Sequence, residues 1–64
     1  MEPLTERELE VLRLLAAGLS SVEIAEQLVV AASTVRSHIK SIYAKLAVHR
    51  RAEAIQKARD VRLI

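Results

Sequence analysis

The chain has 64 residues, a net charge of +2, one tyrosine and no other aromatic residue, and no cysteine. That length holds a single domain, which buries only about 60 % of its unfolded surface, and without cysteine neither a disulfide framework nor a thiolate metal site can support it. No apolar run approaches the roughly 18 residues of a membrane span, and the acidic, proline-containing start is no signal peptide, so the expectation is a cytoplasmic protein without a membrane partner.

Met1 to Leu4 reads as a short lead-in, since Pro3 disfavours helix before it. Thr5 followed by Glu8 forms a T-x-x-E capping box, which predicts a first helix from about Glu6 to Ala17. Its inner stripe is Leu9, Leu12, Leu15 and Ala16, with Glu6, Glu10 and Arg13 facing water. Glu6, Glu8, Glu10 and Arg13 read as solvated neighbours three and four residues apart. Gly18, the only glycine, sits where a left-handed residue closes a helix.

Ser20 with Glu23 repeats the capping box and opens a short second helix, about Ser21 to Leu28, with Ile24, Ala25 and Leu28 inward. Ala25 is small enough to let the next helix cross closely. Val29 to Ala32 is a turn with neither glycine nor proline, in which Val30 plugs the angle between helices. The third helix runs from about Ala32 to Leu46. Val35, Ile39, Ile42 and Leu46 fall on one apolar stripe at about 100° per residue. Ser33, Ser37, Lys40 and Ala44 lie opposite, with Arg36 and Ser41 on the flanks. Small side chains allow close approach, and two cations reach past them. Taken alone, that face suits a solvated basic surface as well as a helix in the major groove of DNA. Ala31 offers no side-chain cap, so Ser33 and Thr34 are free to hydrogen-bond a phosphate at the positive end of the helix. After a break at Ala47 to Arg50, a fourth helix covers about Arg51 to Asp60. Ala54, Ile55, Ala58 and Val61 form one face; Ala52, Gln56, Arg59 and Leu63 form a second, half-apolar face.

The charge is unevenly spread. Residues 1–30 carry six acids against Arg7 and Arg13, a balance of −4, and residues 31–64 carry eight bases against Glu53 and Asp60, a balance of +6. If the halves do not interleave, one side of the domain is acidic and the other basic, as a polyanion binder requires. A short helix, a tight turn and a longer helix with a basic outer face make a helix-turn-helix; the plain alternative is a helical hairpin of a small bundle. The charge asymmetry favours DNA binding.

Other chemistry finds little support. His38 and His49 lie eleven residues apart and lack the spacing and partners of a metal site; His38 reads as a core-flanking donor to a backbone or phosphate oxygen. No Ser/His/Asp order stands out and no glycine-rich phosphate loop exists. The expectation is an all-α, non-enzymatic domain with no cofactor.

From Pro3 to Ile64 the chain resembles the DNA-binding domain of the LuxR-type (NarL/FixJ-type) bacterial transcription regulators. The matching stretches are PLTERELEVLRLLAAGLS, SVEIAEQL, STVRSHIKSIYAKL and AEAIQKA, and the L-T-x-R-E-x-E-V-L opening, E-I-A and T-V-x-x-H-I keep the family's order and spacing. The VAAST run and the Ala47-Val48 turn look closest to its large ATP-binding regulators. The resemblance implies a four-helix domain at the C-terminus of a longer regulator, working on double-stranded DNA, with RNA polymerase as a partner of the full-length protein. It implies a third helix in the major groove, with base contacts from Arg36, Ser37 and Lys40 and phosphate contacts from Ser20, Ser33, Thr34 and Lys45; the cation Arg50, at the start of the fourth helix, is expected to add a further phosphate contact. It also implies a fourth helix that supports a homodimer on DNA through Ala52, Gln56, Arg59 and Leu63, weak or monomeric without DNA. Three positions depart from the family pattern: Ala47 replaces a glycine, Ala31 a Ser or Thr cap, and Arg50 a small cap. A left-handed, strained Ala47 follows from the first. A sigma-factor-like promoter-recognition domain shares the L-T-x-R-E and E-I-A signals but normally lacks AEAIQKA. A protein-interaction module with a basic face is the alternative from outside DNA binding.

Overall fold

The computed structural model describes residues 3–64, and within them the chain forms four helices, α1 (Glu6–Ala16), α2 (Ser21–Leu28), α3 (Ala32–Leu46) and α4 (Arg51–Asp60), with no strand among the described residues. Of the lead-in, Pro3 to Thr5 is irregular, and Met1 and Glu2 lie outside the described residues. None of the described helices is long and apolar enough to cross a membrane.

Both capping boxes form. The Glu8 N–H donates to Thr5 Oγ1 at 3.1 Å and the Thr5 N–H to Glu8 Oε1 at 2.9 Å. The Ser20–Glu23 pair repeats this at 3.2 and 2.8 Å. Each reciprocal pair satisfies two backbone groups that a helix start leaves without partners, which is why α1 and α2 begin where the sequence places them. By contrast, Ala31 and Arg50, the N-caps of α3 and α4, contribute no side-chain bond.

All four helices stop in the same way. A left-handed residue follows each one: Gly18 (φ +100°), Val29 (57°), Ala47 (57°) and Arg62 (59°). The next residue then donates its N–H five residues back: Leu19 to Leu14 O, Val30 to Ala25 O, Val48 to Tyr43 O and Leu63 to Ala58 O, at 2.7–3.1 Å. This is the Schellman closure, and each of those aliphatic side chains folds against the core, as the motif favours. The left-handed Ala47 expected from the sequence is present; Val29 and Arg62 adopt the same conformation without any glycine signal. A side chain at Gly18 would meet nothing within 4 Å, so the backbone angle and not space requires glycine there.

The core consists of Val11, Leu12 and Leu15 of α1, Ile24 and Ala25 of α2, Val35, Ile42 and Leu46 of α3, and Ala54 and Ala58 of α4. Helix α3 packs against the other three and is the centre of the domain. Four expectations are corrected. Val11 is fully buried, whereas Leu9 and Ala16 are only half-buried, because the inward face of α1 runs through positions 8, 11, 12 and 15. Glu8 is therefore buried (4 % exposed) rather than solvated. On α4, Val61 is exposed at its C-terminal end. Leu63 packs on the core instead of joining the outer face, since the left-handed Arg62 turns it back.

Candidate nucleic-acid interface

The outer face of α3 presents Ser33, Thr34, Arg36, Ser37, Lys40 and Ala44, all exposed. The opposite stripe of Val35, Ile42 and Leu46 is buried and Ile39 half-buried, so packing of that stripe aims the polar face outward. Among the described residues neither Arg36 nor Lys40 is in an ion pair; the two that form are Arg7–Glu10 at 3.9 Å and Lys45–Glu8 at 2.7 Å. Arg36 and Lys40 are one turn apart and project about 6 Å apart along the axis. Ser33 and Thr34 stand in the first turn of α3, which contains no acidic residue of its own to meet the positive end of the helix.

Ser20 is exposed at the start of α2. Its hydroxyl oxygen accepts the Glu23 N–H at 3.2 Å. The Ser20 backbone N–H and hydroxyl hold the Glu23 carboxyl below its ordinary range, with Arg51 adding to the effect. Arg50 is exposed and makes no cap bond. On α4, Ala52, Gln56 and Arg59 are exposed, with Gln56 Nε2 donating to Asp60 Oδ1 at 2.9 Å.

Lys45, expected from the family resemblance to contact a phosphate, is paired within the domain. Its ammonium donates to Glu8 Oε1 at 2.7 Å, and its side chain is only 18 % exposed. Ser41 Oγ donates to the other carboxylate oxygen of Glu8, also at 2.7 Å. Burial pushes the Glu8 pKa up, but the bonds from Lys45, Ser41 and the Thr5 backbone outweigh it and hold the carboxyl at about 2. Arg51 is likewise committed, with Nη2 donating at 2.6 Å to Leu15 O at the C-terminus of α1, where a cation also meets the negative end of the helix dipole. Two of the eight bases in the second half thus serve the acidic first half, and the halves interleave at the back of the domain. Sequence reasoning missed Glu8, Ser41 and Arg51. The spacing of Glu8 from Val11, Leu12 and Leu15 (i+3, i+4, i+7) was the available sign that it points inward.

Residues 2–58 match the family described as bacterial regulatory proteins, luxR family. The chain is 48 % identical over 59 residues to the HTH-type transcriptional regulator MalT of Serratia proteamaculans, covering 92 % of this chain and 6 % of that protein. Against MalT of Yersinia pestis it is 50 % identical over 56 residues, covering 88 % of this chain and 6 % of that protein. The crystal structure of the response regulator ChrA of a heme-sensing two-component system superposes with a TM-score of 0.95 at 42 % identity, over 100 % of this chain and 32 % of that one. The chain therefore spans only a small part of each relative's length.

Proposed function

The chain belongs to the LuxR family of bacterial regulatory proteins, DNA-binding transcription regulators, and on that premise we propose that α3 is the helix that enters the major groove. Arg36, Ser37 and Lys40 read base edges. An α-helix with its side chains is about 10–12 Å across, close to the roughly 12 Å width of that groove. The roughly 6 Å between Arg36 and Lys40 along the axis spans about two base-pair steps. Ser20, Ser33, Thr34 and Arg50 hold phosphates on either side, through hydroxyls, a helix N-terminus and a guanidinium. Lys45 is left out of this set because Glu8 occupies it. The observation that carries the reading is the exposed outer face of α3, where two cations that pair with no carboxylate among the described residues stand among small side chains.

The exposed face of α4, with Ala52, Gln56 and Arg59, pairs with a second copy on a two-fold site. That face is too small for the roughly 1,200 Å² of a stable interface, so two copies assemble on DNA and are held there through linked binding. The relatives are many times longer than this chain, which supports a module of a larger regulator that acts on RNA polymerase through the full-length protein. Titration of the 64-residue chain into labelled duplex and single-stranded DNA at several salt concentrations tests the reading. Duplex binding should exceed single-strand binding, and the logarithm of the affinity should fall linearly with log salt at about 0.9 per neutralised phosphate. Equal binding to both, or an acidic peptide binding better than duplex, would refute it.

A further inference from the structure

We propose that Glu8, which lies away from the DNA-facing surface, is a positioning residue for sequence discrimination: with Ser41 and Lys45 it fixes the rotation of α3 about its own axis. This inference rests on the DNA reading above. Three donors from two parts of the fold converge on this carboxylate. Ser41 Oγ reaches Oε2 at 2.7 Å, while Lys45 Nζ at 2.7 Å and the Thr5 N–H at 2.9 Å reach Oε1. Glu8 is itself immobilised, because its own N–H donates to Thr5 Oγ1 and its side chain closes the capping box of α1. The carboxylate is a fixed point, and α3 is attached to it twice.

Two attachments do what one cannot. Ser41 and Lys45 are four residues apart on one side of α3, separated by about 6 Å along the axis. Each binds a different oxygen of the same carboxylate, so a small turn of α3 lengthens at least one short, charge-assisted bond. The apolar seam of Val35, Ile42 and Leu46 decides which face of α3 points outward, but burial of aliphatic surface is non-directional and restrains a turn of a few degrees less sharply than two short bonds to one carboxylate. Base reading tolerates little freedom: functional geometry has to hold within about 0.5 Å and 10–20°. A turn of about 10° moves a guanidinium carried several ångströms off the axis by roughly 1 Å, enough to break a paired contact to a guanine edge. Phosphate contacts are far more forgiving, since they carry little angular information. The cluster should therefore govern how well the chain discriminates between sequences, not how strongly it holds DNA in general.

The test uses the 64-residue chain, a duplex that the wild type selects from a random pool, and a scrambled duplex of equal length. Affinities are measured by fluorescence anisotropy at a temperature where circular dichroism shows each variant folded. Ser41→Ala should reduce the ratio of specific to scrambled affinity by about tenfold, with an unchanged salt slope on the scrambled duplex. Ser41→Thr, which keeps the hydroxyl, should restore the ratio. Glu8→Gln should act like Ser41→Ala; if it does not fold, Ser41→Ala alone decides. A wild-type ratio in Ser41→Ala overturns the inference. So does a Lys45→Met variant whose salt slope falls by about one unit, because Lys45 would then be on a phosphate and not on Glu8. A wild type that selects no duplex overturns the DNA reading itself, and this inference with it.

Discussion

Val29 is a β-branched residue at φ 57° and ψ 51°, 88 % exposed, closing α2. A left-handed conformation costs an L-residue roughly 1–2 kcal/mol, and branching at Cβ places Val at the upper end. Val29→Gly removes that strain and loses almost no packing, since so much of the side chain is in solvent. Glycine's greater freedom in the unfolded chain takes back about 0.5–1 kcal/mol. The net gain is about 1 kcal/mol, or roughly 4–8 °C in Tm for a domain of this size. Ala47 has the same backbone angles without the branch, so Ala47→Gly should gain less, about 0.5 kcal/mol. Gly18→Ala is the reverse change at a position with open space for a Cβ, so strain alone should make it lose about 1 kcal/mol. Thermal melts and urea titrations of the three variants give the ordering Val29→Gly, Ala47→Gly, wild type, Gly18→Ala. If Val29→Gly melts at or below the wild type, left-handed strain does not limit the stability of these helix ends.

Three further outcomes follow from the charge arrangement. The Glu8 carboxyl, held at about 2 against an ordinary 4.5, gives stability that is fully present above about pH 4.5 and is lost as pH falls toward 2; Lys45→Met should lower stability at pH 7 by about 1–3 kcal/mol and flatten that acid limb in denaturant titrations. Arg50→Ser should raise stability by about 1 kcal/mol, because serine can accept an N–H at the start of α4, while weakening duplex binding if Arg50 holds a phosphate; gain of stability with unchanged affinity would remove Arg50 from the interface. Sedimentation at micromolar concentration without DNA should show a monomer, since α4 exposes only Ala52, Gln56 and Arg59 of the expected contact face, and a tight dimer there would contradict the assembly proposed above.

Much of the fold is legible in the residues themselves. The two capping boxes and the single glycine are local signals, acting over three or four residues, and they set the bounds of α1 and α2 to within one residue. The amphipathic stripe of α3 likewise identifies its buried and exposed faces. What escapes is whatever depends on distant packing. Glu8 is separated by 33 residues from Ser41 and 37 from Lys45, so although its spacing from Val11, Leu12 and Leu15 marks it as inward, nothing local announces the partners that hold its charge. The left-handed turns at Val29 and Arg62 lack glycine, and only the closed helix ends reveal them. Leu63 reads as outward on a helical wheel because the wheel assumes the helix continues, whereas the chain reverses at Arg62 and returns Leu63 to the core. For the candidate interface, the exposed positions on α3 were readable from periodicity; which cations are free to meet DNA was not, since Lys45 and Arg51 are engaged by groups of the first half.

The central claim is that Arg36 and Lys40 read bases while Ser20, Ser33, Thr34 and Arg50 hold phosphates. Its most direct measurement is the affinity of Arg36→Ala and Lys40→Ala for the selected duplex and for a scrambled one at matched salt. Each variant should lose about 1–3 kcal/mol on the selected duplex and markedly less on the scrambled one, so that sequence preference flattens. An equal loss on both duplexes would mean that the outer face of α3 only grips the backbone.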